Sequence, residues 1–323
     1  MLEISQALLI ATTVLVIFAL VAYVVALLGA RASKTQSARA TVAVGAAGLA
    51  QSDAGGSAAQ DKSAAKVAAA TVQGTKDRMG RGKAGSVPRG VAWYASKFVQ
   101  GALITLTGSL LARFFATGHA PFANHYEFAV SFGWGMILAL VYFEYRYRVR
   151  TLAVVVLPVI LAMLVYASTL SYEASPLMPA LQNSPLLTLH VFTAALAYGA
   201  AVIAFGAAVM YLLSPYVKWS GWPKPETLDD LGYRAVIVTF PMLTIMIILG
   251  SVWANIAWGR YWSWDPKETA ALVTWLIYGA YLHARVVGGW RGKRSAWLLV
   301  LGFTAIIFTY FGNLFFGGMH SYA

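Results

Sequence analysis

The 323-residue sequence contains no cysteine. Disulfides, thiolate metal sites and a thiol nucleophile of its own are therefore excluded, and thiol chemistry at this protein must use thiols brought by another chain. Charge is the second scarcity. Only 11% of residues are Asp, Glu, Lys or Arg, against about 25% in a typical soluble domain. That is too few to cover a water-exposed surface around a chain that is 59% hydrophobic, with a mean hydropathy of +0.65. Acidic residues are the scarcer sign, 12 against 24 basic, which leaves a formal net charge of +12. In a soluble protein that surplus would point to nucleic acid. Here it fits the Lys and Arg that membrane proteins gather on cytoplasmic loops, and no nucleic-acid partner is expected.

What the chain has in quantity is apolar runs of about 20 residues, the length that crosses a hydrocarbon core. Eight occur, at roughly 6–29, 92–115, 127–145, 151–170, 190–213, 235–257, 269–287 and 296–317. The expected fold is all-α, a polytopic membrane helix bundle with about eight transmembrane helices. The first run lacks the basic start of a signal peptide and is too long for its apolar region, so residues 1–30 are expected to stay as an N-terminal transmembrane helix. Residues 31–90 are rich in Ala, Gly and Ser, with scattered basic residues. They cannot bury a core and are expected to form a disordered basic cytoplasmic linker, with transient helix over Ala38–Ala50. Residues 91–323 form the remaining domain.

Orientation follows from the basic residues. With the linker inside, 21 of the 24 Lys and Arg fall on inside loops, and only Arg113, Arg260 and Lys267 fall outside. The bias persists when the linker is set aside, and it places both termini outside the cell membrane. Four of the five histidines, His119, His125, His190 and His320, then lie in or beside external segments.

The densest chemical signal is Trp258-Gly-Arg-Tyr-Trp262-Ser-Trp264-Asp-Pro-Lys-Glu-Thr269, with Trp253 just before it, so that 253–269 forms an external tryptophan-rich segment. An interfacial aromatic belt accounts for one or two Trp per helix end and accounts poorly for this density. The other reading is a flat apolar platform for a planar ligand, with indole N–H groups available to its polar edges. Asp265, Pro266 and Glu268 fit the N-cap, N1 and N3 positions of a capping box, so Asp265 is expected chiefly to start the seventh span and shape the platform. His190 and His320 each read singly as interfacial histidines. Together they flank the platform on one face, and two neutral imidazoles suit the two axial positions of haem iron. His283 lies about 20 Å deeper along span seven at 1.5 Å per residue, too far to share that iron. It reads either as a functional intramembrane residue, with Arg285 beside it for an anionic propionate, or as a helix-end histidine. His119 and His125 read as structural or peripheral. Arg113 reads as a snorkelling anchor or, alternatively, a propionate partner.

These segments resemble the haem-handling cytochrome c biogenesis proteins with a tryptophan-rich "WWD" domain, closest to the CcsA/ResC type of System II, named CcsB in some lineages. The resemblance rests on Gly118-His-Ala-Pro-Phe-Ala-Asn-His-Tyr-Glu127, Pro176-Leu-Met-Pro-Ala-Leu-Gln182, Leu189-His-Val191, Trp258 to Thr269, Tyr281-Leu-His-Ala-Arg285 and Gly318-Met-His-Ser-Tyr322. It covers about residues 91–323, excludes the linker and departs from the family at His125, where an apolar residue is usual. It implies a bacterial inner-membrane protein that handles haem b and works with a ResB-like membrane partner. Its implied role is to present haem for covalent attachment to the CXXCH motif of an apocytochrome c, as a subunit of a cytochrome c haem lyase. It also implies axial ligation by His190 and His320, with Trp258, Trp262, Trp264 and Asp265 around them. His283 would serve an inner haem site whose companion histidine lies on the partner. A CcmC-like haem carrier, expected to have about six spans, is the first alternative. An unrelated transporter or scaffold, with no need of an outward histidine pair, is the second.

The charge distribution makes a direct prediction. A reporter fused after the last residue should read extracytoplasmic and one inserted in the 31–90 linker cytoplasmic; the opposite readings would overturn the outside assignment of the tryptophan-rich segment.

Overall fold

The computed structural model describes residues 1–52, 90–174, 177, 181, 185–217, 221–312 and 315–320, with side chains of 30–52 outside that description. Of the expected linker, 53–89 therefore lies outside the described residues. Among the described residues there are eight α-helices and no strand: α1 (Leu2–Ser52), α2 (Val91–Thr117), α3 (His125–Tyr147), α4 (Ala153–Thr169), α5 (Pro185–Leu213), α6 (Pro225–Trp258), α7 (Pro266–Val286) and α8 (Lys293–Phe311). A short 3-10 turn, Arg150–Leu152, leads into α4.

The expected all-helical membrane bundle is what forms. Seven of the helices are long and apolar enough to cross a membrane. The exception is α7, whose ends carry Lys267, Glu268, His283 and Arg285. It nevertheless runs the full depth of the bundle. Its first residues adjoin Asp265 and His320 at one end, and Arg285 donates to Asp229 of α6 at the other, 2.7 Å away. Packed between α6 and α8, it needs less apolar surface of its own.

Boundaries differ from the apolar runs for identifiable reasons. α1 continues through the first part of the Ala-rich segment to Ser52, as the high helix propensity of Ala permits. α6 starts well before residue 235 because its first turns, with Glu226, Asp229 and Asp230, are helical but polar. α5 starts at Pro185, so His190 sits one turn inside the helix. α8 stops at Phe311, where the glycines that follow let the tail turn back toward α7. α2 and α6 both end on glycines in the left-handed region, Gly118 at φ 74° and Gly259 at φ 72°, the usual helix stop. Asn124 caps α3 by accepting the Glu127 N–H at 2.9 Å.

α5 is the hub, packed against α3, α4, α6 and α8. Small residues permit this: a Cβ on Gly199 would run into the backbone of Gly135, and one on Gly135 into that of Ala195. Without a hydrophobic drive between helices in lipid, such close backbone contact supplies much of the association. Polar ties collect at the two ends. At one end Ser5 meets Ser109 at 3.0 Å, and buried Arg113 donates to Glu127 at 2.6 Å and to the carbonyls of Tyr172 and Glu173. At the other end the Tyr23 hydroxyl donates to Glu144 at 2.6 Å, and Asp229 receives Arg285.

The α3–α5 crossing yields a prediction by sign. Gly29→Ala, with nothing within 4 Å of its Cβ, should leave thermal stability in detergent unchanged or raised through helix propensity. Gly199→Ala should lower it despite the same propensity gain, by about 1–3 kcal/mol of overpacking. Equal effects would show that the crossing tolerates separation.

Candidate functional site

The ends of α3, α5, α6 and α7 nearest the tail, together with the tail 315–320, enclose one cavity. Among its walls are His125, His190, Trp253, Trp262, Lys267 and His320. Its empty volume, counting the part open to solvent, is ≈ 1080 Å³. Phe128 and Phe132 of α3 and Tyr198 of α5 form the apolar side.

His190 and His320 are each held through Nδ1. His190 bonds the Met246 carbonyl of α6 at 2.7 Å; a neutral ring donates that bond from Nδ1 and carries its lone pair on Nε2. The ring lies so close to α6 that a Cβ on Gly250 would come within 2.6 Å of its Cε1, so Gly250 makes the space it occupies. His320 donates from Nδ1 to Asp265 Oδ2 at 2.8 Å. Its ring packs edge-to-face on Trp258, 5.0 Å between centroids, and tilted against Trp253 at 6.3 Å. A carbonyl or carboxylate behind Nδ1 is the arrangement that orients metal-ligating histidines.

Asp265 does more than start α7. It caps the helix by accepting the Lys267 N–H at 3.0 Å, while Glu268 receives the Asp265 N–H at 3.2 Å. It also accepts the Met319 N–H at 2.6 Å and orients His320. The tail reaches it because residue 318 is glycine; a Cβ there would collide with Asp265 Oδ1. Burial works to raise this carboxyl, but the His320 hydrogen bond and charge, joined by the Lys267 and Met319 N–H groups, outweigh it and hold the pKa at about 2.

The structure thus brings together His190, His320, Trp262 and Asp265. It distributes the other tryptophans differently from a single platform. Trp258 stands behind His320. Trp264 is 69% exposed, its backbone in the left-handed region at φ 59°, and meets Trp262 edge-on at 5.8 Å. His283 lies far away near the opposite end of α7 and is exposed on the flank of the bundle. Arg285 is paired with Asp229 and Arg113 with Glu127, so both arginines are engaged in structural ties rather than left to meet a propionate or to snorkel. His119 bonds the neighbouring Ala120 carbonyl at 2.9 Å, in the loop. His125, read as structural or peripheral, lines the cavity. Sequence reasoning had no route to Met246, Gly250 or the inward side chain of Lys267, since each matters through a contact across helices.

The linkage at Asp265 is testable. A carboxyl held below its unfolded value of about 3.9 adds stability above that pH and loses it as pH falls toward about 2. Thermal stability of the wild type should therefore fall more steeply between pH 5 and pH 2 than that of Asp265→Asn, and the variant should be the less stable at pH 7. Parallel profiles would show that the carboxylate is not favoured in the fold.

Residues 122–320, most of the bundle and the whole histidine pair, match the family model for the Cytochrome C assembly protein. Among curated proteins, the chain is 40% identical over 250 residues to the cytochrome c biogenesis protein CcsA of Guillardia theta, covering 68% of this chain and 82% of that one. It is 35% identical over 283 residues to the CcsA of Gloeobacter violaceus, covering 68% and 83%, and 36% identical over 255 residues to that of Prochlorococcus marinus strain NATL2A, covering 67% and 81%. Among solved structures it shares its fold with the cytochrome c haem lyase CcmF at a TM-score of 0.57 and 17% identity, covering 96% of this chain but only 46% of that protein. The chain therefore belongs to the cytochrome c assembly protein family, as a multi-pass, all-helical protein of the CcsA type with a role in cytochrome c biogenesis.

Proposed function

We propose that this chain binds haem b in the cavity beneath the tryptophan-rich segment, ligates its iron through His190 and His320, and presents its vinyl groups to the CXXCH thiols of an apocytochrome c. In this reading the cavity faces outward from a bacterial inner membrane, and the chain is one subunit of a cytochrome c synthase with a ResB-like partner. The observation that carries the reading is convergence. Two histidines from distant parts of the chain reach one cavity, each anchored at Nδ1, so that Nε2 is the nitrogen each would offer. Two imidazoles are the axial set that haem requires, since the porphyrin supplies the four equatorial nitrogens. Among the described residues no group of three or more His, Asp or Glu is arranged to hold a bare ion.

Thioether formation adds a thiol S–H across a vinyl double bond, so no group leaves. The contribution of this chain is then positioning: holding the porphyrin flat against Trp253 and Trp262 with a vinyl edge toward incoming thiols. The absence of cysteine means that this chain supplies none of the thiols. His283, exposed near the other end of α7, would serve a second haem site completed by a partner chain. The basic bias of the inside loops supports the orientation.

Absorption spectra of purified variants test this. His190→Ala and His320→Ala should each lose haem or lose the bis-histidine spectrum, and added imidazole should restore part of it by filling the vacant position. His119→Ala should leave the spectrum unchanged. His283→Ala should lower the haem reaching the outer cavity without changing its spectral type. Wild-type spectra and normal maturation of a co-expressed CXXCH reporter in both His190 and His320 variants would overturn the assignment. Haem binding without reporter maturation in the presence of a ResB-like partner would favour a carrier.

A further inference from the structure

The cavity contains a cation that its histidine chemistry does not use. Lys267 is the second residue of α7, yet its side chain turns into the cavity wall rather than out to water. Its ammonium sits 5.5 Å from the ring centroid of Phe128 on α3. Among the described residues no carboxylate pairs with it. Both nearby acids are already engaged. Asp265 holds His320 and the Met319 and Lys267 N–H groups, and Glu268 receives Ser263 through N and Oγ and the Asp265 N–H.

Three costs meet at this position. A lysine ammonium is strongly hydrated, and a half-buried apolar wall removes part of that hydration. It lies at a helix N-terminus, the positive end of the helix dipole, where a cation is disfavoured. It also shares the cavity with His125, His190 and His320, while the carboxylate that lines it, Glu268, is committed to Ser263 and the Asp265 N–H, and Asp265 attracts the ammonium without forming an ion pair with it. An aromatic face returns only part of the cost, about 0.5–2 kcal/mol. An anionic group on the occupant would offset all three at once.

We infer that Lys267 forms a carboxylate subsite inside the cavity, on the wall made by α3 and the start of α7, with His125 beside it. The inference rests on the haem reading above and deepens it: the carboxylate is a haem propionate. Because both propionates lie on one edge of the porphyrin, anchoring them at this wall turns the vinyl-bearing edges away from it. Lys267 is then a positioning residue that selects which edge of the ring meets the incoming thiols.

The test compares haem with its dimethyl ester, in which both propionates are uncharged, by spectrophotometric titration of the full-length protein in detergent. Wild type should bind haem about tenfold or more tighter than the diester, the size of one charge-assisted hydrogen bond. Lys267→Met should lose that preference by weakening haem while binding the diester as wild type does, and Lys267→Arg should keep it. The wild-type comparison involves no substitution, so it stands even if Lys267→Met fails to fold. Equal wild-type affinity for the two ligands, or an equal loss of both in Lys267→Met, would overturn the subsite while leaving the histidine assignment intact. A wild-type protein that binds neither ligand with a bis-histidine spectrum would overturn both readings.

Discussion

The Asp265 carboxylate holds three things at once: the first turn of α7, the backbone of the tail at Met319, and the imidazole of His320. Each is weak alone. A helix cap contributes about 0.5–2 kcal/mol, and a short tail has little reason to settle on a membrane bundle. Joined at one nearly buried carboxylate, they become a single element that closes one side of the cavity. His320 then has one orientation, with Trp258 and Trp253 packed around its ring. The opposite histidine is fixed by different means, a backbone carbonyl and a glycine-made recess in α6. Two unrelated anchors thus bring two rings to one cavity.

The rest of the bundle supports that end by keeping its buried charged side chains paired. An unpaired polar group in an apolar interior is costly, and here the charged ones are paired near the two ends of the helices. Arg113 is held by Glu127 and two loop carbonyls, and Arg285 by Asp229. Between the ends the ties are hydroxyl pairs, Thr12 with Thr105 at 2.7 Å and Thr274 with Thr309 at 3.1 Å. They add specificity between helices without burying charge. Against this pattern Lys267 stands out, because its neighbours are all committed elsewhere. A site that departs locally from the rules the rest of the chain obeys is where function is expected.

Eight helices were readable because the thickness of a hydrocarbon core imposes one length on every apolar crossing. Ends were read less well. The polar first turns of α6 and the partner-shielded α7 are helical for reasons of packing that hydropathy does not record. At the site, the capping box at Asp265 and the pairing of His190 with His320 were visible as residue types at telling positions. The separate fates of the tryptophans were not, since an aromatic cluster in sequence says nothing about which rings face inward.

By itself the sequence determined an all-α membrane bundle, a strongly asymmetric distribution of basic charge, the absence of any thiol, and a short set of histidines and tryptophans near one side. Those follow from composition and from the length and order of apolar runs, which are properties of the chain alone. Only the tertiary structure decided which of those residues meet. It placed His190 against Met246 and Gly250, gave His320 to Asp265, brought His125 and Lys267 into the same cavity, and removed Arg113 and Arg285 into ion pairs. Apart from Arg113 and Glu127, 14 positions apart, such contacts join residues 55 or more positions apart in the chain. They depend on the close crossing of α3 and α5, where glycine lets backbones touch, and on the room that Gly250 of α6 leaves for His190, and no spacing along one chain encodes those distances.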